Sequence, residues 1–193
     1  MNNVKLEFNF ASMNSGKSLS LITKHYMLKE RGFKVVAVKP QLDTRSEKIQ
    51  TRLGVEIDCF NIGKYDKVSD VILKSNKSKP DYILCDESQF FTKDQIWDLA
   101  FLVDNWKINV VCYGLKLNWQ GDFFEGSAEL MKIADVLNPI ENYCNVERGA
   151  SAFFHIKHSN LDVKEDDVGF EEKYSSVSRK TWKEWYDTIC QQK

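Results

Sequence analysis

The sequence lacks the features that mark secreted, membrane-spanning and nucleic-acid-binding proteins. No segment approaches the roughly 20 consecutive apolar residues of a membrane helix, and the opening "MNNVKLEFNF" alternates apolar and polar residues, unlike a signal peptide. The formal net charge of -1 argues against a dedicated nucleic-acid binder, which would carry an excess of basic residues. Internal repeats and low-complexity linkers are also missing from the sequence.

The cysteines lack the spacing of a metal site or a disulfide framework. There are five of them, an odd number, scattered along the chain. They are Cys59, Cys85, Cys112, Cys144 and Cys190. We therefore expect reduced thiols and a cytoplasmic protein. The chain has 193 residues, 42% of them hydrophobic and 28% charged, which suits one globular domain with a small appendage.

What the sequence does contain is an alternation of strands and helices. Apolar patterning predicts strands over 4–10, 34–39, 82–86 and 108–114, and helices over 17–31, 93–105 and 127–136. This order favours an α/β domain with a mainly parallel sheet covered on both faces. After about residue 138 the apolar runs shorten and charges increase. We expect a small β-rich lobe there, with a long loop and a helix over about 178–190.

A phosphate-binding loop is indicated by "ASMNSGKS", residues 11–18. Such a loop needs a flexible turn, a lysine for the β- and γ-phosphates and a hydroxyl for Mg²⁺. Gly16, Lys17 and Ser18 supply these between a predicted strand and a predicted helix. Ala11 replaces the usual first glycine and is tolerable only if its φ stays negative. A chance "SGKS" at a helix start is the alternative, but the strand–loop–helix context favours nucleotide binding.

Two acidic residues follow the third predicted strand, in "YILCDESQFF". Asp86 would lie at the carboxyl end of that strand, where open α/β sheets bind ligands, and could hold Mg²⁺. Glu87 could accept a proton from an alcohol that receives the γ-phosphate. Alternatively, Glu87 only begins a turn. Asp43 and Arg45, in "KPQLDTR", could also reach the phosphates, although a local ion pair in a solvated loop is the simpler reading.

These segments together resemble the thymidine kinase family of the bacterial, phage and animal cytosolic type. The resemblance runs in order through "ASMNSGKS", "KPQLDTR", "DESQFF", "YGLKLNWQGDFFEGSAELMKIAD" and "GFEEKYSSVSRKT", and so covers almost the whole chain. It implies a RecA-like P-loop kinase domain over 1–138 and a lasso lobe with a C-terminal helix over 139–193. It also implies transfer of the γ-phosphate of ATP, with Mg²⁺, to the 5′-hydroxyl of thymidine or deoxyuridine.

The resemblance also implies a role for individual residues. Glu87 would be the catalytic base, and Ser18 and Asp86 would hold Mg²⁺. ATP would be bound by Ala11, Ser12, Met13, Asn14, Ser15, Gly16, Lys17, Ser18, Asp43, Arg45, Asp86 and Gln89. The nucleoside would be bound by Met13, Phe90, Leu115, Trp119, Phe124, Asp166, Asp167, Val168, Gly169 and Tyr174. A homotetramer or homodimer, without nucleic-acid or membrane partners, is the implied assembly. Without the resemblance, ordinary core packing would be the preferred reading of the aromatic residues.

The sequence departs from the family where a structural zinc is usual. The family uses two pairs of cysteine or histidine ligands, but Cys144 is followed three residues later by Glu147, and the second pair of positions holds Ser178 and Thr181. Tetrahedral zinc needs four such ligands, so we expect no structural zinc. Packing would then hold the lobe together, with Phe153, Phe154, Trp182 and Trp185 as candidates.

The nucleoside pocket departs from the family as well. Asn118 and Trp119 stand where the family has an acid and a phenylalanine, and Phe170 replaces a glycine. These changes leave open a shifted nucleoside preference. They also leave open a non-catalytic nucleotide-binding or regulatory protein on the same scaffold. A nucleic-acid-stimulated ATPase of related architecture is a third alternative, disfavoured by the neutral charge.

Overall fold

Six parallel strands form the central sheet of the chain, for which a computed structural model describes residues 4–43, 46–75, 78–158 and 174–190. The strands, in chain order, are β1 (Leu6–Ala11), β2 (Val35–Pro40), β3 (Ile49–Gln50), β4 (Glu56–Ile57), β5 (Phe60–Ile62), β6 (Tyr82–Cys85), β7 (Asn109–Leu115), β8 (Val136–Pro139), β9 (Phe154–Lys157) and β10 (Tyr174–Val177). The central sheet has the order β5-β2-β6-β7-β1-β8. β3 and β4 pair in one antiparallel hairpin, and β9 and β10 pair in another two-stranded sheet.

Helices cover both faces of the central sheet. The described chain contains α1 (Lys17–Glu30), α2 (Val68–Ser75), α3 (Lys93–Trp106), α4 (Glu125–Ile133) and α5 (Arg179–Cys190), with a 3₁₀ turn at Ser88–Phe90; the first four pack on this sheet. α1 packs on one face through Leu21 and Ile22, beside Leu84 and Val111 of the sheet. α2, α3 and α4 pack on the other face, where Phe8 is fully buried. The expected doubly covered parallel sheet is confirmed.

Local signals explain where several helices begin and end. α1 ends at Glu30, and Gly32 follows with φ of +82°, donating its amide to Lys29 O at 2.9 Å. This is the left-handed cap that a glycine permits. α3 begins after Thr92, whose hydroxyl accepts from the amide of Gln95 while the Gln95 side chain accepts from the amide of Thr92. That reciprocal capping box satisfies two amides at the helix start.

The predicted helix over 127–136 is wrong at both ends. α4 begins earlier, at Glu125, and ends at Ile133. Val136 instead starts β8, which pairs with β1 at the edge of the central sheet. The apolar residues at the end of α4 and just after it, Met131, Ile133 and Ala134, pack against the same core as the strands. Their spacing fits a helical repeat, and so the predicted helix extended beyond the end of α4. The sequence reading also did not include the β3–β4 hairpin, β5 or α2.

The C-terminal lobe joins the β9–β10 sheet to α5, as its expected β-rich character and helix suggested. The Phe154 and Trp182 rings lie 4.9 Å apart, and Trp182 stacks on Tyr186 at 5.0 Å. A small core of Cys144, Ala152 and Val177 packs beside these rings. Aromatic packing therefore holds this lobe. Of the four predicted aromatics, Phe154 and Trp182 pack within it, and Trp185 packs on the ring of Trp119.

Among the described residues, no helix combines the length and the apolar character needed to cross a membrane. All five cysteines carry free thiols, as expected.

Candidate active site

The predicted phosphate-binding loop, called the phosphate loop below, connects β1 to α1 at the carboxyl edge of the sheet. Two of its residues have left-handed backbone, Asn14 with φ of 60° and Gly16 with φ of 77°. Gly16 directly precedes α1, so the loop turns sharply into the helix N-terminus, a natural place for phosphate oxygens. Ala11 is the last residue of β1, pairs with Leu115 and has a negative φ. An alanine therefore fits the position that commonly holds glycine.

Lys17 and Ser18 occupy the first turn of α1. The Lys17 Nζ donates to the Ser12 carbonyl oxygen at 2.9 Å, so the lysine folds back over the loop and is largely buried. Ser18 Oγ donates to Asp86 Oδ2 at 2.9 Å, although the two residues are 68 positions apart in the sequence. The predicted hydroxyl and the predicted strand-end acid are thus brought into direct contact.

Asp86 follows β6 and is almost fully buried. Its second oxygen, Oδ1, is buried without a hydrogen-bond partner. Burial, and then the neighbouring charge of Glu87, raise the pKa of this carboxyl to about 7. A buried carboxylate with one oxygen lacking a hydrogen-bond partner, next to a serine hydroxyl, offers two oxygen ligands to a hard cation such as Mg²⁺. Phosphate oxygens and waters would be its further ligands. The donor set therefore fits the expected metal.

Glu87 lies next to Asp86 in a left-handed conformation, with φ of 47°, and begins the 3₁₀ turn. Gln89 holds its carboxylate: Nε2 donates to Glu87 Oε2 at 2.5 Å, while Oε1 accepts from the Leu115 amide at 3.0 Å. Gln89 is buried, and its side chain bridges β7 and the catalytic-base candidate. This geometry makes Gln89 a residue that orients Glu87.

The 3₁₀ turn is held tightly against α4 and β7. A Cβ on Gly126 of α4 would lie 2.4 Å from the Ser88 carbonyl oxygen and 2.7 Å from that of Phe91. A Cβ on Gly114 of β7 would lie 2.7 Å from Ser88 Oγ. Ser88 Oγ also donates to the Tyr113 carbonyl oxygen at 2.9 Å. Glycine at Gly126 therefore allows the backbone approach that positions Glu87.

A cavity of about 620 Å³ lies in front of the phosphate loop. Asn14 to Leu19, Asp86 and Glu87 line one side, and the β3–β4 hairpin lines the other. Arg52, at the hairpin tip, donates to Asn14 Oδ1 at 2.6 Å. The cavity joins the loop, the candidate metal site and the candidate base in a single space of the size that small-molecule sites have.

Asp43 also lines this cavity, as part of a buried ion pair. Lys39 Nζ lies 3.2 Å from Asp43 Oδ2 and donates to the carbonyl oxygens of Asp43 and Ser46. Lys39 is 1% exposed and so is a structural anchor of the segment after β2. Arg45, the other residue predicted in this segment, lies outside the described residues.

The three predicted nucleoside residues Phe90, Phe124 and Trp119 lie in two different places. Phe90, in the 3₁₀ turn that Glu87 begins, and Phe124, which directly precedes α4, meet edge to face with ring centroids 5.6 Å apart. Trp119 instead contacts the C-terminal lobe: its ring meets that of Trp185 at 6.0 Å, and the Lys157 ammonium lies 5.5 Å from its centroid. The predicted residues Asp166, Asp167, Val168 and Gly169 lie outside the described part of the chain.

The C-terminal lobe contacts the phosphate loop directly, which the sequence reading missed. Asn142 and Ser176 bond to residues Ser12 and Met13 of the loop. His155 is buried beside the Tyr174 ring, 5.6 Å away, and its Nδ1 has no hydrogen-bond partner. Single polar residues carry no local signal for such long-range contacts. The β3–β4 hairpin, which carries Arg52, did have a local sequence signal, because Gly54 lies between Leu53 and Val55 and a glycine between apolar residues marks a turn.

The four positions of the family's zinc site still meet in space, but as a hydrogen-bonded cluster. The Glu147 amide donates to Cys144 Sγ at 3.2 Å, Ser178 Oγ donates to Glu147 Oε2 at 2.9 Å, and Ser178 and Thr181 hydroxyls lie 3.1 Å apart. Only Cys144 offers a ligand that structural zinc favours. Across the described ranges, no group of three or more histidine, cysteine, aspartate or glutamate residues could hold a metal ion. These residues do not fit zinc.

Comparisons with known proteins place these features in one family. The family model described as thymidine kinase matches residues 4–182. The chain is 36% identical to a thymidine kinase of Francisella tularensis subsp. holarctica over 191 residues, covering 93% of this chain and 97% of that protein. It is 35% identical to one of Rhizobium meliloti, with coverage of 92% and 95%, and 32% identical to one of Rhodopirellula baltica, with coverage of 93% and 88%.

Proposed function

Because the chain belongs to the thymidine kinase family, we propose that it transfers the γ-phosphate of ATP to the 5′-hydroxyl of thymidine or deoxyuridine, giving the nucleoside monophosphate. The observation that carries this proposal is the contact of Ser18 Oγ with Asp86 Oδ2 at 2.9 Å, directly beside Glu87 in the cavity of the phosphate loop. A loop that only bound nucleotide would need no second carboxylate oriented by a buried glutamine.

The residues would divide the reaction among them. Glu87, held by Gln89, would accept the proton of the attacking hydroxyl. Lys17 would leave the Ser12 carbonyl oxygen and pair with the β- and γ-phosphates, where its charge stabilises the transferring group. Ser18 and Asp86 would hold Mg²⁺, which supplies charge neutralisation across the phosphates when bound.

The nucleoside would lie against the Phe90–Phe124 pair, within reach of Glu87. Met13, Leu115 and Tyr174 would complete the proposed pocket; the family resemblance also assigns 166–169 to it, which lie outside the described residues. Trp119 is held by α5 and Lys157, so we infer that it shapes this pocket from the lobe side. Its bulk is the feature that would shift nucleoside preference.

The assembly and location belong to the same proposal. We propose a homodimer or homotetramer in the cytoplasm, without nucleic-acid or membrane partners. Exposed apolar side chains on α1, with Tyr26 50% and Met27 46% exposed, support association between copies. Light scattering during gel filtration tests the assembly: a mass of two or four chains is expected, and a monomer at micromolar concentration contradicts it.

The test of the proposed reaction is phosphorylation of a nucleoside panel by ATP and Mg²⁺, with thymidine, deoxyuridine, deoxycytidine and deoxyadenosine. We expect turnover of thymidine or deoxyuridine, and a loss of roughly 10²–10⁴-fold in kcat for Glu87→Gln. Glu184→Gln, on the exposed side of α5, is the matched control and should keep full activity. No turnover of any pyrimidine nucleoside by folded wild-type protein, with tight ATP binding retained, would favour the non-catalytic alternative.

A further inference from the structure

The C-terminal lobe holds the first two residues of the phosphate loop through a set of side-chain hydrogen bonds. Asn142 Nδ2 donates to Ser12 Oγ at 2.9 Å and to the Met13 carbonyl oxygen at 2.8 Å. Ser12 Oγ in turn donates to the Ala152 carbonyl oxygen at 2.8 Å. Ser176 Oγ donates to the Met13 carbonyl oxygen at 2.7 Å. These contacts join segments at least 129 residues apart in the sequence.

The Asn142 amide is itself fixed in orientation. Its Oδ1 accepts from the Tyr143 amide at 2.9 Å, so Nδ2 must point to the loop. Its backbone oxygen accepts from the Ala152 amide at 2.8 Å, which ties it to the segment before β9. Both hydrogens of the amide are therefore directed at the loop by a satisfied network.

Ser176 connects the loop to the proposed nucleoside side. It lies in β10, opposite His155 of β9 and two residues from Tyr174. Burial, and then the charge of Lys17, lower the pKa of His155 to about 4, so this imidazole is neutral at pH 7. One strand thus carries both the Tyr174 ring and the hydroxyl that bonds the loop.

We propose that Asn142 and Ser176 are positioning residues that hold the Ser12–Met13 backbone against the Tyr174 strand and so couple ATP binding to nucleoside binding. The proposal rests on the proposed function for its two ligands. A loop ordered by ATP would fix the strand, and a strand ordered by the nucleoside would fix the loop. Each ligand should therefore tighten the other by the same factor, because binding linkage is reciprocal.

The experiment compares wild type with Asn142→Leu and Ser176→Ala, which remove the donors with little change in backbone preference. Ser178→Ala is the matched control: it also removes a lobe hydroxyl, but one that bonds Glu147 and not the loop. Hydrogen exchange of residues 12–18 is measured without ligand. Affinity for the Mg²⁺ complex of β,γ-imido-ATP is measured with and without saturating thymidine by calorimetry.

We expect Ser176→Ala to speed exchange in the loop on the order of tenfold, the effect of losing about one hydrogen bond, and Asn142→Leu, which loses two bonds to the loop, to speed it at least as much. Thymidine should tighten wild-type nucleotide binding about fivefold or more, and this factor should approach one in both variants. Ser178→Ala should keep wild-type loop exchange and coupling. Because the coupling is reciprocal, the nucleotide should likewise tighten wild-type thymidine binding about fivefold or more, and this factor should also approach one in both variants.

Unchanged loop exchange in Asn142→Leu would overturn the positioning role, whatever the enzyme phosphorylates. Faster exchange with an undiminished thymidine effect would overturn the coupling. Equal changes in loop exchange and in nucleotide affinity in all three variants would show general loosening of the lobe, and would also overturn the proposed positioning role. If wild type binds neither ligand, the proposed function fails and the coupling with it, while the exchange measurement still decides whether the lobe holds the loop.

Discussion

Gly126→Ala is the substitution whose expected effect follows most directly from the geometry. In an ordinary helix interior, alanine is more stable than glycine by about 0.5–1 kcal/mol. Here the new Cβ would lie 2.4 Å from the Ser88 carbonyl oxygen, 2.7 Å from that of Phe91 and 3.1 Å from that of Gln89. All three contacts are backbone atoms, so no rotamer change relieves them, and the 3₁₀ turn or α4 must move.

The size of the effect can be estimated from this overlap. Overpacking of a closely packed site costs about 1–3 kcal/mol, which exceeds the helix-propensity gain, so Gly126→Ala should lower the free energy of unfolding. The turn that moves carries Glu87 and Gln89, and misplacing a reacting group by about 1 Å can cost roughly 10²-fold in rate. We expect kcat to fall by one to two orders of magnitude.

The assay combines urea unfolding with steady-state kinetics, and Ala128→Gly is the control. It lies in the same helix, two residues on, and should cost about 0.5–1 kcal/mol without pressing on the turn. Loss of activity in Gly126→Ala but not in Ala128→Gly supports the account. A Gly126→Ala protein with wild-type or higher stability and unchanged kcat would refute the reasoning, because the turn would then not be constrained by that helix.

Four further predictions concern the charge of Asp86, the hydrogen-bonded cluster around Ser178 and the nucleoside pocket. Because the pKa of Asp86 is raised to about 7, lowering the pH from 7 to 6 should reduce the ionised fraction of this carboxyl from about one half to about one tenth. Mg²⁺-dependent ATP binding, measured by calorimetry, should weaken about fivefold over this range. The same pH change should have no such effect on Asp86→Asn. In the metal-free protein the folded chain keeps the Asp86 proton to higher pH than the unfolded chain does. The contribution of protonated Asp86 to the free energy of unfolding is therefore full below about pH 4 and is lost as the pH rises through 7. A difference in Tm between wild type and Asp86→Asn that does not change with pH would contradict this. Ser178→Ala should lower the free energy of unfolding by about 1 kcal/mol, because it removes the hydrogen bond to Glu147. A zinc chelator should leave the Tm of the wild type unchanged. A large drop in Tm with chelator would contradict the conclusion that hydrogen bonds, and not zinc, hold this cluster. Trp119→Phe should shift the ratio of kcat/KM between thymidine and deoxyuridine and leave the KM for ATP within about twofold, and an equal change for both nucleosides would argue against its role in the pocket.

The sequence predicted the parallel core well because its strands are short apolar runs separated by helices with clear ends. "YILCD" and "INVVCYG" became β6 and β7, and Gly32 ended α1 as its position suggested. The phosphate loop and the strand-end acid could be predicted because the chemistry requires few residue types there. Ser18 and Asp86 lie in hydrogen-bond contact, as expected, although the local sequence around each residue does not determine the distance between them.

What could not be predicted depends on contacts between distant segments. Val136, the first residue of β8, was predicted as the end of a helix because it continues an apolar period, and only pairing with β1 makes it a strand residue. Asn142 bonds the loop through its side chain, 129 positions from Met13, and a lone asparagine gives no pattern. The packing of Trp119 against Trp185 likewise depends on where α5 docks.

The most direct test of the central claim is the fate of the γ-phosphate itself. Enzyme in excess over thymidine is mixed with ATP carrying ¹⁸O in the γ-phosphoryl group, and the products are identified by mass spectrometry within one turnover. The account predicts thymidine 5′-monophosphate bearing the labelled phosphoryl oxygens, formed by wild type and slowed by Glu87→Gln. Label recovered only in inorganic phosphate, with thymidine unchanged, would contradict it.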